Sequence, residues 1–363
     1  MKLTVFVLQI LQTVWLQHDP EPAFFGIPPL DEIVNSALAA KRTTNIRSSN
    51  PPILELIPQA PGSGTTHLLY LLTAKAILPS SLGGKDSCVA IIDTGNTFSV
   101  SRLVQQLRVA IRSHNQKQHE PHQDRPSADT EATASAAASE TSTLTSLLRH
   151  VHIFRPQSHP SLLATLDSLP TYFLQTSNAN PSTHRPLAFI ALDSLPAFHW
   201  QTLAEREAKA FEEEETQPDQ NQHENPSDLP SPSNSTSPPR TLTQSLHLLS
   251  QTFPTTPLLI TNPSHFPRLS TFLQQASHHH PPLRTIPLTL SRQTTRPFPP
   301  MISLSEALRK KGQREMATKK AGWRVGSSVP ASREVGGGGG GSGTMGFEIG
   351  IGGERGVWVV EHG

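Results

Sequence analysis

The chain of 363 residues has a single cysteine, Cys88, so no internal disulfide can form. That fits a reducing cytosolic or nuclear compartment, with Cys88 serving as a small apolar residue beside a predicted strand. Charge is scarce and balanced. Charged residues make up 16% of the chain and the net charge is +1, so no global field steers it toward nucleic acid or membrane, and any such binding must come from a local patch. Long apolar runs are missing too. Residues 3–16 are interrupted by Gln9 and Gln12, are too short to cross a bilayer, and lack a small-residue cleavage site before Gln17. Leu3, Phe6, Val7, Ile10 and Val14 fit one stripe of a docking helix instead, and no membrane partner is expected. The absence of a G-x-S-x-G elbow argues against a serine hydrolase. His278, His279 and His280 run together before two prolines, without the spacing or supporting shell that metal ligation needs, and read as a low-complexity loop.

Proline is the excess. Thirty-four prolines in so weakly charged a chain place much of it outside any core. Three biased stretches stand out: 114–146, rich in Ser, Thr, Ala and His; 212–240, an acidic run joined to a Pro/Ser/Asn tract; and 327–344, with glycines from Gly336 to Gly341. None can bury enough apolar area to offset its ordering entropy, and all three are expected to be mobile. The organisation that follows is an N-terminal helical segment at 1–50 and a core at 51–300 with insertions at 114–146 and 212–240. Residues 301–363 then supply a basic segment, a glycine-rich linker and terminal strands.

Within that core, strands and helices alternate. Strands are predicted at 53–57, 89–93, 151–154, 187–193 and 257–261, and helices at 66–78, 100–113 and 160–174. Stretches 284–291, 322–325, 347–351 and 357–360 have strand character and could extend the sheet. The strands are runs of Val, Ile, Leu and Phe separated by helices. That implies an α/β fold with a mainly parallel sheet flanked by helices on both faces. Ligands on such sheets bind at the carboxyl ends of strands, where Gly62, Asp93, Asp193 and Asn262 fall.

A phosphate-binding loop of the form G-x-x-x-x-G-K-[ST] needs glycines that let backbone N–H groups wrap the phosphates, a lysine, and a hydroxyl for magnesium. Here the segment is Gln59-Ala60-Pro61-Gly62-Ser63-Gly64-Thr65-Thr66. Gly64 and Thr66 match, while Gln59 replaces the first glycine and Thr65 the lysine. The strand ending Leu192-Asp193 fits a Walker B carboxylate. Gly62, Ser63, Gly64, Thr65, Thr66 and Asp193 are therefore the candidate nucleotide site, with Thr66 and Asp193 the candidate magnesium ligands. With the lysine gone, a strand-to-helix turn that binds nothing carries equal weight, and Asp193 or Ser194 could simply cap a helix.

The blocks 54–107, 151–200 and 258–292 resemble the RecA-type recombinase paralogues. The most specific matches are Leu69-Tyr70, Thr73-Ala74, Ile77-Leu78-Pro79, Gly83-Gly84, and Leu192-Asp193-Ser194-Leu195 with Ala197, Phe198 and Trp200. The resemblance implies a RecA-like P-loop NTPase fold. It also puts Gly95 where the family has a water-orienting glutamate and Pro263 where it has a phosphate-sensing glutamine. With Thr65 these are three losses at three catalytic positions, so hydrolysis is expected to be very slow or absent. ATP and magnesium could bind, and neither is required. The family further implies a nuclear, non-catalytic subunit in double-strand break repair by homologous recombination. Its partners would be another paralogue, of the D type, and the recombinase filament, on single-stranded or branched DNA. The competing expectation is a DNA-stimulated ATPase with an unconventional lysine, Lys75 or Lys85.

One local patch breaks the neutrality. Arg309, Lys310, Lys311, Arg314, Lys319 and Lys320, with Arg324, face only Glu315 and are candidate DNA-backbone contacts. A solvated helix face ranks slightly above that, since no aromatic platform accompanies the charge, and a nuclear-import signal is a third option. Phe198 and Trp200 are expected in the core rather than on a partner surface.

Overall fold

The computed structural model describes residues 23–42, 52–118, 140–174, 181–215, 241–270, 283–293, 301–320, 322–330, 344–352 and 356–360. The expected N-terminal stripe at 3–14, the histidine run and most of the three biased stretches lie outside these residues.

Nine strands form one sheet in the order β3-β2-β4-β5-β1-β6-β7-β8-β9. These are β1 (Ile53–Pro58), β2 (Cys88–Asp93), β3 (Val151–Phe154), β4 (Leu187–Asp193), β5 (Leu258–Thr261), β6 (Thr285–Arg292), β7 (Trp323–Pro330), β8 (Thr344–Gly352) and β9 (Gly356–Val360). The first six pair in parallel and the last three continue the sheet antiparallel. The fold is therefore α/β with a mainly parallel, mixed sheet. β1 lies between β5 and β6, and β2 is buried along its whole length, which is why both read as near-continuous apolar runs.

Alternate side chains serve opposite faces. Leu54, Leu56, Val89, Ile91, Phe189 and Leu259 join one core cluster, and Ile53, Ile92, Ile190, Leu192, Leu258 and Ile260 the other. The first face is covered by α1 (Pro28–Arg42), α2 (Thr65–Ile77), α3 (Val100–Gln118) and α4 at 140–148. The second is covered by α5 (His159–Leu174) and α7 (Leu242–Thr252). Between them in sequence runs α6 (His199–Glu215), directly after a short 3-10 turn at the end of β4, and α8 (Leu304–Lys320) packs against β8. Glu55 sits at the centre of β1, 1% exposed; Asn262 Nδ2 donates to it at 2.6 Å and Leu269 N at 2.8 Å, so this buried carboxylate is satisfied.

Two expectations need correction, and one helix lay outside the pattern. Residues 140–146, assigned to a mobile insertion, are helical, and Leu144 and Leu147 bury in the first core because leucines at i and i+3 reach the same face. α7 was not foreseen; its signal is the capping box of Thr241 and Gln244. Trp200, expected in the core, is 71% exposed in the first turn of α6, where Leu203 is exposed too, while Phe198 is partly buried against the second core. Among the described residues, no helix is long and apolar enough to cross a membrane.

Candidate functional site

The link between β1 and α2 is a tight turn that fixes its own shape. Ser63, 2% exposed, accepts the N–H of Ala60 on its hydroxyl at 2.9 Å and donates back to the Ala60 carbonyl, while its own N–H reaches that carbonyl at 3.2 Å. Gly62 and Gly64 have φ of +77° and +89°, the left-handed region that only glycine enters without strain. Gly64 answers a second demand: a Cβ there would lie 2.5 Å from the ring of Trp323.

Trp323 is the residue that sequence inspection missed. It begins β7, in the antiparallel part of the sheet, and is 5% exposed. Its indole N–H donates to the Gly62 carbonyl at 2.9 Å, and its ring lies 4.4 Å from that of His67. Burial and the neighbouring Arg102 push the His67 imidazole below its ordinary pKa, so it is neutral at pH 7. The turn is thus held by a side chain 261 residues away. No local pattern could have announced that contact.

Above the turn opens a cavity of about 550 Å³. All five loop residues named from the sequence, Gly62, Ser63, Gly64, Thr65 and Thr66, line it, together with Thr97, Arg102 and Pro263. Among the described residues, Arg102 is the one permanently cationic lining residue, and no carboxylate lines the cavity.

Asp193 stands apart from the other candidates. It ends β4 in direct register with Asp93 on β2, and β5 separates it from β1, a lateral offset of roughly 10 Å at about 4.8 Å per strand. All of these strands being parallel, Gly64, Asp93 and Asp193 lie at the same end of the sheet. Asp193 does not line the cavity. Thr97 does, and its hydroxyl donates to the Asp193 carboxylate at 2.8 Å, so the threonine stands between them. Burial pushes the Asp193 carboxyl above its ordinary pKa; the Thr97 and Thr261 hydroxyls oppose this, and the charge of Asp93 adds to it. Asp93 accepts from the N–H groups of Thr97 at 2.8 Å and Phe98 at 3.2 Å and pairs with Arg155 at 3.2 Å. Thr94 then laces the two strand ends together, donating to the carbonyls of Asp193 and Ser194. Ser194 itself is left-handed at φ +71°.

The alternative lysines do not reach the site. Lys75 is in the last turn of α2, ten residues and about 15 Å along the helix from Thr65. Lys85 is spent at that far end, donating to the carbonyls of Ala23 at 2.6 Å and Phe24 at 2.5 Å, beside Asp31. Of the basic candidates, Arg309, Lys310, Lys311 and Arg314 lie on α8 and line no part of the cavity, and Lys310 pairs with Glu306 at 2.6 Å. Lys319 and Lys320 occupy the last turn of the same helix. No group of three or more His, Cys, Asp or Glu among the described residues could hold a metal ion. Cys88 is buried and its thiol pushed up to about 12, chiefly by burial, which leaves it an inert core residue.

A parallel α/β sheet whose glycine turn leads from a buried strand into a buried helix, with an aspartate ending a nearby strand, is the arrangement of phosphate-binding α/β proteins, here without the phosphate-facing lysine. No protein-family model matches the chain. It is similar to human DNA repair protein RAD51 homolog 2, 33% identical over 89 residues, covering 24% of this chain and 20% of that one. It is also similar to DNA repair protein RAD51 homolog 3 of Cricetulus griseus, 24% identical over 173 residues, covering 46% of this chain and 38% of that one. The chain thus spans between a fifth and two-fifths of the length of the curated relatives it matches. The similarity is to RecA-type recombinase paralogues.

Proposed function

We propose that the chain is a non-catalytic recombinase-paralogue subunit in double-strand break repair by homologous recombination. It works in the nucleus beside another paralogue, of the D type by resemblance, and assists assembly of the recombinase filament on single-stranded DNA. On the blocks around Leu69-Tyr70 and Leu192-Asp193-Ser194-Leu195, which resemble X-ray repair cross-complementing protein 2, the proposed role is that of a paralogue of this kind. The observation that carries the proposal is a glycine turn of phosphate-loop shape whose lysine, glutamate and glutamine positions hold Thr65, Gly95 and Pro263. The shape persists because Ser63 and Trp323 hold it, with no need for a nucleotide. ATP and magnesium are optional ligands of such a site: Gly64 to Thr66 would face the phosphates, and Thr66 with Asp193 the metal once Thr97 moved aside. Phosphoryl transfer depends on charge placed at the γ-phosphate, and a lone Arg102 on a neighbouring helix does not replace both a lysine and a water-orienting carboxylate.

The test is purification of the tagged full chain from nuclear extract. The proposal expects a recombinase paralogue to co-purify in near-stoichiometric amount. Recovery without any paralogue, from cells whose repair depends on the chain, would overturn it.

A further inference from the structure

α6 stands off the domain that carries it. Its start is fixed: the Thr202 hydroxyl donates to the Phe198 carbonyl at 2.9 Å, and the His199 ring meets that of Phe266 edge-on at 5.2 Å. Beyond that root its principal packing is on the short 3-10 turn Leu195–Phe198, and every described side chain of the helix except Thr202 is exposed. A helix of 17 residues with no buried face among its described side chains draws little stability from its own chain, because helical stability in proteins comes mostly from packing an amphipathic face.

Such a face is present on α6 and uncovered among the described residues. Trp200, Leu203 and Phe211 are 71%, 37% and 69% exposed. At about 100° per residue they fall within roughly 80° of arc, with Glu207 among them and the exposed Ala204 and Ala208 alongside. The three anchors span about 16 Å, or three turns, and the small alanines let a second helix approach closely. Exposed apolar patches rimmed by polar residues mark interaction sites. Charge narrows the partner. α6 has six glutamates against Arg206 and Lys209, a net −4, and four of the six close its last turn, where the helix dipole is already negative. That surface repels a phosphate backbone and an anionic lipid surface, and it suits cations.

We infer that α6 docks a basic amphipathic helix of a different protein, whose apolar stripe packs on Trp200, Leu203 and Phe211 and whose lysines or arginines meet Glu207 and the acidic end of α6. Trp200 is the principal anchor, tryptophan being among the residue types that most often carry binding energy. The three side chains expose on the order of 400 Å². That is about half of the roughly 800 Å² that one partner buries in a stable complex, so the contact is weak and salt-dependent. The inference stands on the exposure and charge of α6, independently of the recombination role.

The experiment titrates the purified full-length chain into a fluorescently labelled peptide of about 18 residues, built of leucine and lysine with the leucines on one helical stripe, and reads anisotropy. Binding is expected with a Kd of roughly tens of micromolar at low salt, weakening at least about tenfold at about 0.5 M salt. The same peptide with glutamate in place of lysine, and one of the same composition without a stripe, should each bind at least about tenfold more weakly. Trp200→Ser with Phe211→Ser, and separately Glu207→Lys, should each weaken binding of the basic peptide at least about tenfold. All three residues are exposed, so thermal melting by circular dichroism should match wild type. Glutamate and lysine have similar helix propensity, so the loss in Glu207→Lys cannot come from an unravelled α6. Four outcomes overturn the proposal: a wild type that does not bind the basic peptide, including one whose face is taken by other residues of this chain or by a second copy; an acidic or unstriped peptide bound as tightly; a variant that binds as wild type does; or single-stranded DNA bound by wild type and lost in the same variants.

Discussion

The β1–α2 turn and the ends of β2 and β4 face the same end of one sheet, yet they keep their shapes in different ways. The turn is held by contacts that use no charge: the Ser63 hydroxyl, two left-handed glycines, and the Trp323 indole donating to Gly62. The strand ends retain their carboxylates, and those are spent on Arg155, Thr97 and the backbone N–H groups of Thr97 and Phe98. One half is a glycine turn held without charge. The other has kept its anions but committed them to holding the protein together. Each half therefore has structural work of its own, apart from any ligand.

If the turn is held by the indole, Trp323→Ala should be the most damaging single change, costing about 3–5 kcal/mol in urea unfolding, as large aromatic truncations in a core do. Gly64→Ala should cost about 3 kcal/mol, combining left-handed strain with the clash against that ring. Gly62→Ala, at nearly the same φ with open space around it, should cost only about 1 kcal/mol. The double variant Gly64→Ala with Trp323→Ala should destabilise by clearly less than the sum, since the added methyl fills space the indole vacates. Strict additivity would separate the turn from Trp323.

Acid sets the carboxylate end against the start of β3. There His152 is buried between the Ser182 and Tyr172 hydroxyls, and burial with neighbouring His150 pushes its pKa down to about 4. The unfolded chain takes up that proton near pH 6.5, so the stabilisation is complete above pH 6.5 and lost as pH falls toward 4, by up to about 3 kcal/mol. Asp193 acts with opposite sign: its pKa is raised by burial, so its cost is present above that raised value and relieved as pH falls through it. Urea melts at pH 7 and pH 4.5 should show a loss that shrinks in His152→Asn and grows in Asp193→Asn.

Between the two aspartates, Asp93→Asn should cost about 2 kcal/mol, because it weakens three contacts to a buried carboxylate, one of them charged. Asp193→Asn should cost under about 1 kcal/mol, since a neutral group suits a site that already resists the charge. Equal losses would mean that the pair shares its structural load.

The parallel part of the sheet was legible because its strands are continuous apolar runs and its helices follow in the expected order; β1, β2, β4 and the glycine turn all fall where the pattern places them. That Gly62 to Thr66 line one cavity was legible for the same reason, since they are contiguous in sequence. The contacts that hold the turn were not. Trp323 reaches Gly62 through a fold that brings the ninth-tenth of the chain back to its first fifth, and Thr97 stands before Asp193 through a turn that no periodicity marks. Trp200 misled for a simpler reason: an aromatic after a buried strand is usually core, whereas here it lies on a helix whose Leu203 and Phe211 are exposed as well.

Steady-state ATP turnover by the purified full chain, with and without single-stranded DNA, bears most directly on the proposal that the glycine turn is a phosphate-type site without catalytic charge. No turnover above background is expected, and Thr65→Lys should restore at most nucleotide binding, because Gly95 still supplies no carboxylate to orient water. Turnover within about tenfold of typical ATPase rates, abolished by Asp193→Ala, would contradict it.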